Sequence, residues 1–338
     1  MVEAFVNYLN GIIWSSALIY LCLGTGLYFS LRTRFLQVRH FGHMLRIMRE
    51  GKSSEAGVSS FQALTMSLSG RVGTGNIAGV ATAIAIGGPG AVFWMWTVAF
   101  LGASTAYIEA TLAQIYKELD DNCSYRGGPA YYIEKAMGQK WYAWAFAVAT
   151  IIAMGFCLPG IQANSIVAAM NNAWEIPALF SASALALGLA MIVIGGVKRI
   201  AHFAQVVVPV MAAGYILIAF TVVFLNLDMV PAVTKLIINS AFGLDAGYGA
   251  IIGMAVAWGV KRGVYSNEAG QGSGPHPAAA AEVSHPAKQG LVQAFSVYVD
   301  TLLICSATAF MILLTGLYNV EGGDGTYLYQ GLHGVEVG

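Results

Sequence analysis

Charged side chains are scarce in this sequence, making up 10% of 338 residues against roughly 25% in an ordinary soluble domain. Hydrophobic residues make up 57%, so water is not the main solvent of this chain. Net charge is also missing. Lys plus Arg and Asp plus Glu number 17 each, which leaves nothing to draw in a nucleic acid or another polyanion. Cysteine is sparse, and Cys22, Cys123, Cys157 and Cys305 lie far apart, three of them in apolar runs. That spacing builds neither a disulfide framework nor a zinc site, and no chemistry is assigned to them. HExxH, GxSxG and carboxylates paired at matching depth in the apolar runs are absent as well, so no catalytic constellation marks a membrane-embedded enzyme. No cofactor is implied. The helices lack the continuous polar lining that a channel needs. The first apolar run, 12–31, has no Lys or Arg before it and reads as a membrane anchor rather than a cleaved signal.

What the chain has in quantity is long apolar runs and glycine, 40 residues of it. Small residues let helix backbones approach closely where lipid supplies no hydrophobic drive. Crossing the hydrocarbon takes about 20 apolar residues, and about eight runs of that order are present. They fall near 12–31, 61–86, 90–116, 141–170, 178–197, 203–226, 246–269 and 289–317. The expected class is an all-α polytopic membrane protein of the cell membrane, one transmembrane domain over 1–338 in contact with lipid.

Alternate connections carry the cations. Arg32, Arg34, Arg39, Arg46, Arg49 and Lys52 occupy the first, and Lys117, Arg126, Lys135 and Lys140 the third. Lys198 and Arg199 occupy the fifth, and Lys261, Arg262 and Lys288 are assigned to the seventh. The other side keeps Lys235. Basic connections stay in the cytoplasm, which predicts an extracytoplasmic N-terminus. It also puts a tail over 318–338 outside. The polar segment 227–247, with Val230, Val233, Leu236 and Ile237 interspersed, fits either a short interfacial helix or a packed loop.

The second run is the least regular, because SGRVGTGNIAG sets Gly70, Gly73, Gly75 and Gly79 beside Thr74 and Asn76. Glycine disfavours helix interiors, and backbone freed from the helix at membrane depth must be buried or line a cavity. A helix broken there offers amide hydrogens to an anion and carbonyls to a cation. The alternative is glycine used for close helix packing. A second candidate is GAIIGMAVAWGVKRGVYSNEAG, with Gly253, Gly259 and Gly263 ahead of Ser266, Asn267 and Glu268, and Trp258 and Gly259 near its midpoint. Four continuous runs separate the two. That spacing fits an inverted repeat whose first helix is broken in each half.

GTGNIA at 73–78, GGPGAVFWMW at 87–96 and SNEAG at 266–270 resemble the motifs of the sodium:alanine symporter family, the alanine or glycine:cation symporters. The resemblance runs through essentially the whole chain. It implies a leucine transporter-like inverted-repeat fold, sodium as coupling ion and alanine or glycine as substrate. No protein partner is evident. Carried over by position, Gly73, Thr74, Gly75 and Asn76 hold the substrate carboxylate and its polar neighbours, and sodium sits near Val72 and Gly75. Trp258 and Gly259 close the other side, where the family often has Phe at the Trp258 position. Run 12–31 is then an extra N-terminal span, 61–226 the first five-helix repeat and 246–317 the start of the second. About eight of about eleven expected spans are present. A fragment completed by a partner, an inactive fragment or a proton-coupled permease are the competing expectations.

Other polar residues lie within the runs. Gln162, mid-run in LPGIQANS, is a candidate to bond a substrate amino or carboxylate group or to join two helices. Arg71, Glu109 and Asp300 are ionisable groups inside spans and therefore functional candidates. An Arg71–Glu109 pair and a backbone-capping Asp300 are the structural alternatives. Asn267 and Glu268 lie near the cytoplasmic end, where helix packing or an inner gate is expected. His276 and His285 read as loop residues, and FWMW as interfacial anchoring and core packing.

Overall fold

The computed structural model describes residues 2–48, 54, 56–121, 123–243, 249–315, 319–321 and 327–329. Helices dominate. Helix α1 (Val2–Ile13) turns at Trp14 into α2 (Ser16–Arg32), and two short helices follow, α3 (Leu36–Arg39) and α4 (Phe41–Ile47). Next come α5 (Ser60–Arg71), α6 (Thr74–Gly87) and α7 (Gly90–Ile115). A hairpin of β1 (Glu118–Leu119) and β2 (Tyr125–Arg126) pairs antiparallel and leads into α8 (Pro129–Met137). Helices α9 (Lys140–Ile152) and α10 (Leu158–Trp174) are joined through a π-helical turn at Ala153–Cys157, just ahead of Pro159. Then follow α11 (Ala178–Val193), α12 (Gly196–Leu225), α13 (Val230–Phe242), α14 (Gly249–Asn267) and α15 (Pro275–Ala279). Helix α16 (Pro286–Val297) passes through a π-helical stretch, Tyr298–Cys305, into α17 (Ser306–Thr315). Strands β3 (Asn319–Glu321) and β4 (Tyr327–Tyr329) form a second hairpin. The expected polar tail over 318–338 otherwise lies outside the described residues.

Five stretches are long and apolar enough to cross a membrane: Ala4–Arg32, Gly90–Ile115, Lys140–Trp174, Gly196–Leu225 and Pro286–Thr315. The chain is a multi-pass membrane protein on this ground. The second expected run is divided between α5 and α6, and the fifth ends early, at Val193. The seventh is occupied by α14, which keeps Lys261 and Arg262 inside the helix. Their cations lie 5.7 and 5.2 Å from the Trp258 ring centroid, a cation–π arrangement. They are therefore not connection charges, which corrects the expectation for the seventh connection.

Helix α7 is the axis of the packed half. Its small residues alternate with large ones so that α2, α13, α14 and α16 all reach it. At Gly90 a Cβ would lie 2.5 Å from the Ala241 amide nitrogen. At Gly259 and Gly263 it would strike Ala91 and Val98, and at Gly290 it would strike Thr111. Such contacts are how membrane helices gain van der Waals energy. Within FWMW, Trp94 Nε1 donates to the Ala241 carbonyl at 3.3 Å and Trp96 Nε1 to Ser306 Oγ at 2.8 Å. Core packing is thus its structural use. Helix α13 buries Val233, Ile237 and Ala241, at i, i+4 and i+8. Within the segment 227–247, residues 230–242 are therefore helical, with one apolar face inward.

At one end of the bundle the basic connections meet. Val58 bridges Ala281 in parallel, and the Tyr125 amide donates to the Ala56 carbonyl at 3.0 Å. Gln114 Nε2 and Lys117 Nζ both donate to the Ala281 carbonyl, at 2.9 and 2.8 Å. Burial pushes the Lys117 amine below its usual range, against the opposing charge of Glu282. A cleft lined by Ser54, Gly57, Gln62, Lys198 and His202 opens here. His285 Nδ1 accepts from the Ala287 amide at the start of α16, a helix-capping role.

Candidate functional site

Helix α5 starts on a capping box: Ser59 Oγ accepts from the Gln62 amide, and Gln62 Oε1 accepts from the Ser59 amide. It stops at Arg71. Val72 turns extended and Gly73 follows, after which Thr74 opens α6. Asn76 Oδ1 accepts the Gly73 amide at 2.8 Å and so caps the new helix from its own third residue, as cap residues do. Gly73 has a steric reason as well: a Cβ there would lie 2.7 Å from Gln162 Oε1. Gln162, reaching in from α10, accepts the Thr74 amide at 3.0 Å. The N-terminus of α6 is thus met by a neutral carbonyl oxygen standing where a carboxylate oxygen would go.

Directly beneath lies a buried polar cluster. Asn76 Nδ2 donates to Asp300 Oδ1 at 2.7 Å and to Ser266 Oγ at 3.0 Å. Ser266 Oγ and Thr301 Oγ1 each donate to Asp300 Oδ2 at 2.8 Å. Cys305 Sγ closes the cluster, 3.3 Å from Asn76 Nδ2 and 3.2 Å from Ser266 Oγ. Asp300, Thr301 and Cys305 all belong to the π-helical stretch. A π-turn rotates the helix register, so these three side chains converge on α6. The carboxylate is fully buried, and among the described residues no basic side chain pairs with it within 4 Å, although the Arg71 charge acts on it from farther off. Neutral donors hold it, an arrangement that leaves its charge to be matched by a cation.

The second interruption lies elsewhere than expected. Helix α14 runs unbroken through Trp258 and Gly259 and ends at Asn267. There Asn267 Oδ1 accepts the Ala269 amide, and Glu268 takes a left-handed conformation, φ +54°. Helix α15 resumes at Pro275. The residues facing Gly75 are therefore Tyr265 and Ser266, whose ring and Cα would lie 3.4 and 3.3 Å from a Cβ there. Trp258 packs against Gly87 at the far end of α6. Eight helical residues separate it from Ser266, about 12 Å at 1.5 Å per residue. Trp258 and Gly259 thus do not line the break, and Gly259 serves close packing against α7.

The structure brings together Gly73, Thr74, Gly75, Asn76, Gln162 and Asp300. Asn267 lies at the margin, its Nδ2 3.3 Å from Thr301 Oγ1. Arg71, Glu109 and Glu268 form a separate layer toward the basic end. No Arg71–Glu109 ion pair exists. Arg71 donates to Ser296, Glu109 Oε1 accepts the Gly270 amide at 3.2 Å, and Glu268 Oε2 accepts from Ser273 Oγ at 2.5 Å. Asp300 accepts from side chains rather than capping a backbone. Tyr265, Ser266, Thr301 and Cys305 were not singled out from the sequence. The adjacency of Thr301 to Asp300 in an apolar run, and the place of Ser266 as the first residue of the motif at 266–270, was the available signal.

The model of the sodium:alanine symporter family matches residues 1–338. The chain belongs to that family. It is a transporter and not an enzyme, as the motifs at 73–78, 87–96 and 266–270 lead one to expect. Among curated family members, YrbD of Bacillus subtilis (strain 168) is 63% identical over 334 residues, covering 99% of this chain and 69% of YrbD. A sodium/proton-dependent alanine carrier protein of Bacillus sp. (strain PS3) is 54% identical, over 87% of this chain and 66% of its own length. The sodium/alanine symporter AgcS of Methanococcus maripaludis is 40% identical, over 94% of this chain and 72% of AgcS. The chain thus spans about two thirds of the length of these symporters.

Proposed function

We propose that this protein moves alanine, or glycine, together with sodium across the cell membrane by alternating access. The break between α5 and α6 carries the reading. On one side it offers amide hydrogens, and on the other a buried carboxylate that has no ion-pair partner among the described residues. The substrate carboxylate binds the first amides of α6 and displaces Gln162 Oε1 from the Thr74 amide. The released Gln162 amide group then hydrogen-bonds the substrate. Tyr265 and the Gly73–Gly75 backbone bound the space for the side chain, and only a small one fits. Sodium takes oxygens from Ser266, Thr301 and Asp300, and its charge offsets that of Asp300. Hard cations prefer such oxygen ligands.

The two sites share Asn76, which caps α6 and touches Asp300. Filling one therefore orders the other, and each ligand tightens binding of the other by the same factor. The interruptions at 72–73 and 268–274 support a leucine transporter-like inverted repeat, with 61–226 as the first repeat and 246–317 as the start of the second. The family name and the named activities of the relatives support alanine and sodium. Basic connections gathered at one end support a cytoplasmic assignment for that end and an extracytoplasmic N-terminus.

The test is alanine uptake into proteoliposomes under an inward sodium gradient. Uptake that is unchanged when choline replaces sodium rules out the coupling. Glycine competing as well as alanine, with leucine failing to compete, is the expected substrate profile.

A further inference from the structure

Below the ion cluster, α16 carries polar residues where a membrane helix would ordinarily be apolar. Gln289, Gln293 and Ser296 follow one another at i, i+4 and i+7 on a single face of α16, and Asp300 follows in the π-helical stretch. All four are fully buried. The stripe runs from the first turn of α16, at the basic end, to the carboxylate of the site. Arg71, 2% exposed, reaches across it: its Nη1 donates to Ser296 Oγ, and Ser296 Oγ in turn donates to the Gln293 carbonyl at 2.7 Å. Gly274 leaves room for the guanidinium, since a Cβ there would lie 2.6 Å from Nη2.

This face is not hydrogen-bonded to completion. Arg71 Nε and Nη2, both amide atoms of Gln289, and Gln293 Nε2 are buried without a partner among the described residues. Buried polar atoms left so are costly, and five of them along one file call for polar occupants passing between the basic end and Asp300. The guanidinium stands across that file. A second unit positive charge cannot pass it at contact distance in a low-dielectric interior.

We propose that this file is the route by which the coupling ion leaves Asp300 toward the basic end, and that Arg71 is its gate. The proposal rests on the sodium-symport reading of the site above. In the closed state Arg71 is held by Ser296. It opens the file by turning toward Glu268, the carboxylate at the interruption of the second broken helix. Glu268 is within electrostatic reach of Arg71, and its Oε1 would lie 4.0 Å from a Cβ on neighbouring Gly70. Glu109 acts on the same guanidinium from α7 and anchors the 270–272 turn. The gate is thereby tied to the segment that changes shape in a broken helix.

The experiment uses the protein reconstituted in liposomes loaded with radioactive sodium, with no alanine present. Arg71→Gln is expected to raise sodium efflux at least tenfold over the unsubstituted protein, and Arg71→Lys, which keeps the charge, to raise it less than threefold. A second measurement does not depend on transport. Gln293→Cys, made with Cys123 and Cys157 replaced by Ser, is labelled by a membrane-impermeant thiol reagent from the basic side. Its labelling is expected to speed up at least tenfold when Arg71→Gln is added. Efflux at the level of empty liposomes together with unchanged labelling, in protein that elutes as a single species, overturns the proposal. If Arg71→Gln does not fold, Ser296→Ala stands in, with faster labelling expected and unchanged labelling overturning the gate. Sodium efflux through Arg71→Gln in a protein that moves no alanine retains the file and removes the symport reading.

Discussion

The two halves of the bundle use the same residue types for opposite ends. In the half built on α7, a Cβ added at Gly259, Gly263 or Gly290 would meet a neighbouring helix. In the half formed by α9, α10 and α11, one added at Gly155, Gly160 or Gly188 would meet nothing within 4 Å. No residue of α10 is buried, and Trp144, Phe156 and Leu179 are 72–81% exposed. Described residues leave these helices largely uncovered, and α10 carries Gln162, Asn164, Ser165, Asn171 and Asn172 along its length. Hydrophobicity cannot distinguish the halves, because lipid and protein interior are equally apolar to Leu. Close contact can, and so can polar residues. The one polar side chain that α10 sends to the site, Gln162, points at the break in the packed half.

The contrast predicts unequal penalties for matched substitutions. The largest is expected at Gly263→Leu, which forces α14 away from Val98. Overpacking there costs about 3 kcal/mol or more, and the folded fraction recovered in detergent should collapse. Wild-type recovery would break the claim that the α7 interface is closed. Next is Asp300→Asn. Losing the charge that matches sodium should raise the sodium concentration for half-maximal uptake by about a hundredfold, or about 2.7 kcal/mol. The alanine KM at saturating sodium should move far less. Equal shifts in both would mean that Asp300 serves the fold rather than the ion.

Gly73→Ala comes third. It pushes Gln162 off the α6 amides and should weaken alanine binding about tenfold, or about 1.4 kcal/mol, with expression unchanged. Trp258→Phe should be milder, lowering stability by about 0.5–1 kcal/mol through its cations. The range of amino acids accepted should stay the same, since the indole is about 12 Å from Ser266 along α14. Entry of larger substrates would return Trp258 to the site. The smallest effect is expected at Gly188→Ala, within about 0.5 kcal/mol of the parent. A larger loss would show that another part of the protein packs on α11 at that position.

The break in the second run was legible because four glycines with Thr74 and Asn76 conflict with a membrane helix on local grounds alone. The second break was misplaced for the opposite reason. Gly253, Gly259 and Gly263 look like the same conflict, yet α14 tolerates them because α7 fills the space they leave. The actual interruption depends on Asn267 bonding its own turn and on the left-handed backbone at Glu268, neither of which leaves a periodic signal. Asp300 was visible as an anomaly in an apolar run. Its partners were not, because Asn76, Ser266 and Asp300 are distant in sequence and a π-stretch resets the face on which Asp300 emerges.

By itself the sequence determined the solvent and the family, since composition and local motifs do not depend on what packs where. Tertiary structure alone decided which glycines are contacts and which have open space, where the second helix ends and which polar side chains meet. Those outcomes depend on the register of one helix against another. A shift of a single residue turns a side chain by about 100°, and no local pattern specifies that shift.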